Sequence, residues 1–266
     1  MLHSLPRRTL LSSLAALGLS SLCGLTAQAA TLADIQAHKV LNVGIQTDYP
    51  PYGYIDASMK PQGSDVATAE LIAKQLGVKL NIVTVTSPAR IPALQAGKVD
   101  LIISSMGKNP EREKVVDFTI SYAPFFSGLY ANKSLAIKQF GDLAGKTVSV
   151  TRGSLQDDAL TKLAPAGAQI KRFEDDTATI ASFVTGQSQV LAHSAAVAGL
   201  TMQRNPKLGA EYKLLLTDVP CFIGVAKGNT ALLDQVNVIL RTAKADGTLN
   251  AISEKYLGRP LGNLPE

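Results

Sequence analysis

The sequence predicts an α/β protein made of two units, each a parallel sheet with helices on its faces. Two observations carry this: β-rich runs alternate with segments of helical spacing, and the alternation starts again after Pro124. The chain has 266 residues, 46% hydrophobic and 18% charged, which is long enough for two moderate lobes.

The first thirty residues stand apart. Arg7-Arg8 precede an apolar stretch from Leu10 to about Leu22, and Ala27-Gln28-Ala29 is an A-x-A pattern. A basic start, a short apolar run and small residues at the cut predict a secretory signal over 1–29, too short and serine-diluted for a membrane anchor. The paired arginines leave twin-arginine export open beside the general route. Without these residues the formal charge falls from +5 to +3. No basic tract, aromatic–basic interleaving or zinc spacing follows, so no nucleic-acid partner, metal or cofactor is expected. Only Cys221 remains, which excludes an internal disulfide and reads as a small buried hydrophobe.

The first unit then unfolds in order. Val40–Ile45 is a β-rich run. Ser64–Leu76 has helical spacing and stops at Gly77. Val78–Val85 alternates as a strand, Ile91–Ala96 is a short helix before Gly97, and Val99–Ile103 is a buried strand. After Pro124, Phe125–Ala131 and Lys146–Val150 read as strands. Ser154–Leu163 is a helix, Gln169–Phe173 a strand, Thr177–Val184 a helix, Val190–Ala192 a strand and Ala195–Gln203 a helix. Strands Tyr212–Leu216 and Phe222–Ala226 precede helices Ala231–Ala245 and Leu249–Tyr256, a tail able to return to the first unit.

Open α/β sheets bind ligands beyond the carboxyl ends of their strands. Each unit offers one such place. In SSMGKNPERE (104–113), Asn109 caps a helix with Pro110 at its first position, and Arg112 presents a planar fork suited to a carboxylate. Ser104, Ser105 and the Gly107 N–H are further donors. The competing reading pairs Arg112 with Glu111 or Asp117 on the surface. In Thr151-Arg152-Gly153-Ser154, the N–H groups of Ser154 and Leu155 can hold an anion at a helix N-terminus, or Ser154 simply caps the helix with Asp157 in an S-x-x-D pattern. Nucleophilic catalysis lacks its parts. His38 and His193 are the only histidines after residue 29, neither in a triad context, and no G-x-S-x-G occurs.

Six motifs then fall in register: VGIQTDYPPYGY (43–54), GSDVATAELIAKQLGVKL (63–80), ARIPALQAGKVDLIISSM (89–106), NPEREKVVDFT (109–119), LAGKTVSVTRGS (143–154) and KADGTLNAISEKYLG (244–258). Together they resemble the periplasmic solute-binding proteins of the polar amino acid ABC-transporter family. The resemblance implies a type II periplasmic binding protein: lobe 1 over 30–125 plus 218–266, lobe 2 over 126–217, a hinge of two segments, and a ligand cleft between lobes. It implies a periplasmic monomer that passes a small ligand to an inner-membrane permease, and no enzyme activity.

Site residues follow from the same resemblance. Arg112 takes the ligand carboxylate, with Ser105, Met106 and Gly107 beside it and Ser154 and Leu155 opposite. Tyr49 and Tyr52 wall the pocket, with core packing as Tyr52's alternative. Arg90, in an R-I-P variant near Ser87, meets a second carboxylate or stands on a surface helix; Ser104 and Thr151 complete the strand ends. Two departures bear on the ligand. Ser194 and Gln46 occupy positions where the family carries acids for the ligand's ammonium. Either Asp176 or Asp175 replaces them, or the ligand lacks an ammonium. An acidic or amide-bearing amino acid is the first expectation and a non-amino organic acid the second. A cyclohexadienyl-dehydratase-like enzyme and a sensory ligand-presenting protein are the outlying readings.

Overall fold

The computed structural model describes Met1 and residues 29–265, so the expected signal segment lies almost entirely outside the described residues. Two five-stranded sheets form the molecule. The first contains β1 (Val40–Ile45), β5 (Lys79–Thr84), β6 (Leu101–Met106), β7 (Val116–Ala123) and β13 (Cys221–Ala226), in the order β5-β1-β6-β13-β7. The second contains β8 (Phe126–Asn132), β9 (Thr147–Thr151), β10 (Gln169–Phe173), β11 (Val190–Ser194) and β12 (Ala210–Asp218), in the order β10-β9-β11-β8-β12. A small sheet of β2 (Asp48–Tyr49), β3 (Gly53–Ile55) and β4 (Pro61–Gln62) rides on the first lobe.

Both large sheets are mixed, which corrects the expectation of purely parallel sheets. β13 runs antiparallel to β6 and β7, and β8 antiparallel to β11 and β12. The cause is the chain path. It leaves the first sheet through β7 into β8 and comes back through β12 into β13. The strands entering and leaving each sheet therefore run against their neighbours. Two short crossings, Pro124-Phe125 and Val219-Pro220, join the lobes.

Helices cover both sheets: α1 (Leu32–His38), α2 (Ser64–Leu76), α3 (Arg90–Gln95) and the single turn α4 (Pro110–Glu113) in the first lobe, and α5 (Leu155–Leu163), α6 (Asp176–Val184) and α7 (Ala195–Arg204) in the second. The chain's last helices, α8 (Thr230–Ala245) and α9 (Thr248–Leu257), return to the first lobe. Leu232, Val236, Leu240 and Ala243 recur at helical spacing on α8 and are buried in that lobe's core. Burying each such leucine contributes about 2 kcal/mol. The second lobe has its own core around Leu129, Val148, Val150, Leu160 and Val190.

Candidate functional site

The cleft is built from strand ends of both lobes. From the first lobe come β1 with Gln46 after it, the β6 end at Ser104–Gly107, the turn leading to α3, and α4. From the second come the β9–α5 turn and the N-terminus of α6. A small enclosed cavity of about 10 Å³ lies between them, lined by Gln46, Tyr49, Ser87, Arg90, Ser105, Arg112, Phe125, Ser154, Leu155 and Gln156. A larger cavity of about 500 Å³ opens on the other side of the same two arginines, with Ser87, Met106, Gly153, Asp158 and Lys162 in its wall.

Arg90 is 4% exposed. Its guanidinium donates to three carbonyls: Nε to Ser87 (3.0 Å), Nη1 to Ser104 (2.9 Å) and Nη2 to Gly153 of the opposite lobe (3.2 Å). No carboxylate of the described residues lies within ion-pair distance of it. Burial, and then the neighbouring Arg112, push its pKa down to about 10. Such a buried cation is costly until an anion joins it. The surface-helix reading of Arg90 is therefore set aside.

Arg112 is also buried, at the cleft rim. Asn109 caps its turn, with Oδ1 accepting from the Arg112 N–H at 2.9 Å. The guanidinium reaches Gly107 O (2.8 Å), Gly153 O (3.0 Å) and Asp158 Oδ2 (3.1 Å). Glu111 pairs instead with Lys114, and Asp117 with Lys227, so neither holds Arg112 at the surface. Both arginines thus converge on the Gly153 carbonyl. Gly153 takes φ +68°, and a Cβ there would stand 3.3 Å from Pro88 Cα of the other lobe. Gly107 also lies against the opposite lobe, where a Cβ would meet Leu155 Cδ1 at 2.2 Å.

The β9–α5 turn both caps and faces the cleft. Ser154 Oγ accepts from Asp157 N (3.1 Å), and the Ser154 N–H donates to Thr151 O (3.2 Å). Ser154's amide is thus engaged within its own turn here. Leu155, at the first helical position, has no acceptor within the helix and remains the amide suited to an anion.

Asp176 is 2% exposed and draws donors from both lobes. Gln46 Nε2 donates to Oδ2 across the cleft at 2.6 Å, and Thr151 Oγ1 donates to Oδ1 at 2.6 Å. His193 Nε2 stands 3.0 Å from Oδ1, though without hydrogen-bond alignment. His193 Nδ1 accepts from the Ser194 N–H, and the ring stacks on Tyr49 with centroids 5.1 Å apart. Asp175 caps α6 by accepting from Ala178 N (2.7 Å). Of the two replacement acids expected, then, only Asp176 bonds a residue of the cavity wall, Gln46.

Tyr52, Ser104, Thr151, Asp176 and Ser194 stand behind the cavity wall. Tyr52 packs on Tyr49 and Phe125. Ser104 Oγ donates to Gln46 Oε1 at 3.0 Å, and Ser194 Oγ caps α7 at Val197 N. Ser105 takes φ 45° at the end of β6, its hydroxyl donating to the buried Asp65 at 2.9 Å. Gln156, Phe125, Asp48, Asp158 and His193 are cleft residues that sequence reasoning did not assign. Gln156 and Asp158 follow directly on the recognised TRGS turn, which was the one usable signal.

Two mixed α/β lobes, two crossings and a buried cleft bearing a guanidinium with no carboxylate partner among the described residues define a two-lobed, type II solute-binding protein. The chain belongs to the bacterial extracellular solute-binding proteins, family 3, whose model matches residues 41–259. It is 29% identical over 225 residues to the ABC transporter arginine-binding protein 1 of Escherichia coli K12, covering 83% of this chain and 91% of that one. It is 31% identical over 232 residues to the glutamine-binding protein GlnH of Bacillus subtilis, covering 85% and 84%. Among solved structures, a solute receptor for L-cysteine of Neisseria gonorrhoeae matches with a TM-score of 0.81 at 33% identity, covering 88% of this chain and 96% of that one.

Proposed function

We propose that this protein captures a small carboxylate-bearing solute in the periplasm and delivers it to an inner-membrane ABC permease, with an amino acid or close derivative as the ligand. One observation carries the reading: the Arg90 guanidinium is buried in the cleft with carbonyl partners alone. A carboxylate there supplies the missing charge, with Arg112 and the Leu155 amide beside it. Asp176, one hydrogen bond behind Gln46, is the acid that answers an ammonium in place of Ser194. Relatives named for arginine and glutamine binding agree with an amino acid ligand. Two cleft arginines favour a ligand whose side chain is acidic or carries an amide.

The enclosed cavity has room for at most one water, so a solute enters by separation of the lobes and is held by their closure. A second reading, a non-amino organic acid, rests on Asp176 already having donors from Gln46 and Thr151.

A thermal-shift panel separates the two. Each amino acid is tested against its deaminated analogue. A ligand at a hundred times its Kd adds about 2.7 kcal/mol of stability. Stabilisation by the amino acid and not by the analogue is expected. Equal stabilisation by both overturns the ammonium reading, and none by any carboxylate overturns the whole proposal.

A further inference from the structure

Asp48 lies outside the cavity, on the small sheet of the first lobe, where β2 pairs with β3 at Asp48↔Tyr54. Its Oδ2 accepts from two amides of the second lobe, Asp176 N at 3.0 Å and Thr177 N at 3.3 Å. These are the first two helical residues of α6, whose Asp175 side chain caps only the next amide, that of Ala178. The orphan donors of this nine-residue helix are thus completed by a carboxylate from the opposite lobe. That interaction exists only while the lobes are together.

We infer that Asp48 is a positioning residue for ligand retention: it latches the closed lobes by capping α6 across the cleft. The inference rests on the reading that the solute is held by lobe closure. Physical chemistry favours the geometry. A carboxylate at a helix N-terminus gains both hydrogen bonds and the favourable end of the helix dipole. Asp48 is carried on a paired strand, so its backbone is already held in place beneath α6. The latch also fixes the N-terminus of α6, from which Asp176 projects to Gln46. Closure and the placing of Asp176 are therefore one event. Asp48 does not line the cavity, so it sets how long a solute stays and not which solute is chosen.

The test uses the full-length mature protein. Spin labels at Glu111→Cys and Lys162→Cys, which lie on opposite lobes at the cleft mouth, report the inter-lobe distance; Cys221 is buried and unlabelled. Distances are recorded for wild type, Asp48→Asn and Asp48→Ala, alone and with an excess of each panel amino acid. Asp48→Asn keeps an acceptor and loses the charge; Asp48→Ala loses both. Expected is a fall in the closed-distance population, about tenfold in Asp48→Ala and less in Asp48→Asn. For a panel member that binds, stopped-flow dissociation quickens by the same factor, while the rank order of panel ligands is unchanged. Identical distance distributions in all three proteins overturn the latch, as does a changed rank order. If no panel amino acid binds wild type, the reading of the ligand fails, and the distances still decide the latch.

Discussion

Asp65, the second residue of α2, is fully buried beneath the cleft floor. Tyr122 Oη donates to it at 2.7 Å and Ser105 Oγ at 2.9 Å, while the Ser105 N–H donates to Tyr122 Oη at 3.2 Å. This triangle secures Ser105 in its left-handed conformation, which few non-glycine residues adopt. Burial lifts Asp65's pKa to about 6 despite both hydroxyls. The native state therefore holds that proton more tightly than the unfolded chain does. The group's contribution is most favourable below its unfolded pKa and is lost as pH rises through about 6. The loss is on the order of 3 kcal/mol. Asp65→Asn should remove it. Urea midpoints at about pH 4.5 and pH 7.5 are expected to diverge less in the variant than in wild type; equal divergence would contradict a titrating Asp65. The same scale shows what the sequence conceals. Arg90, Ser105 and Arg112 were legible because each sits in a contiguous motif. Phe125 and His193 were not, because they lie outside those motifs, and Asp48, though inside the 43–54 motif, has partners that meet it only in the folded cleft. Asp48, for example, bonds Asp176 from 128 residues away.

At the scale of elements, the β9–α5 turn decides how closely the lobes meet. Gly153 supplies both a left-handed backbone and a bare Cα against Pro88, and its carbonyl takes a hydrogen bond from each cleft arginine. Gly153→Ala introduces a left-handed alanine, costing about 1 kcal/mol, and a methyl group in the closed interface. Affinity for the ligand should fall about tenfold, more than the backbone strain alone explains. Titration calorimetry checks this, and an unchanged Kd would contradict the close approach. Most elements were readable. Val40–Ile45, Ser64–Leu76 and Gln169–Phe173 fall where their residue patterns put them, and Ser64–Leu76 is bounded by Gly63 and Gly77. β7 was not read, although Val116, Phe118, Ile120 and Tyr122 alternate with Asp117, Thr119 and Ser121 at strand spacing, so the signal for it was present in the sequence. The short strands of the β2–β4 sheet are below the length at which periodicity speaks. The antiparallel β8 and β13 were read as strands, but direction leaves no trace in a hydrophobic pattern; it is set by where the chain crosses between lobes.

For the whole molecule, each lobe has its own core, Val197 of α7 packs against that of the first lobe, and the other ties between lobes lie at the cleft. The hydrogen bonds among those ties are Arg90 and Arg112 on Gly153, Gln46 on Asp176, Asn109 on Asp158, and Asp48 on α6, beside the stack of Tyr49 on His193. Polar ties exchange readily with water, so closure is reversible and a ligand that adds charge to the cleft shifts its balance. The central claim is that Arg90 anchors a carboxylate between the lobes. Calorimetric titration of wild type and Arg90→Gln tests it most directly, each protein being titrated with the panel amino acids and with their decarboxylated amines. Glutamine retains amide donors for the surrounding carbonyls but has no charge. Expected are one amino acid bound per wild-type chain, no binding of its amine, and an affinity at least about a hundredfold weaker in Arg90→Gln. Equal affinity in the two proteins, or binding of the amine as tight as that of the acid, would contradict it.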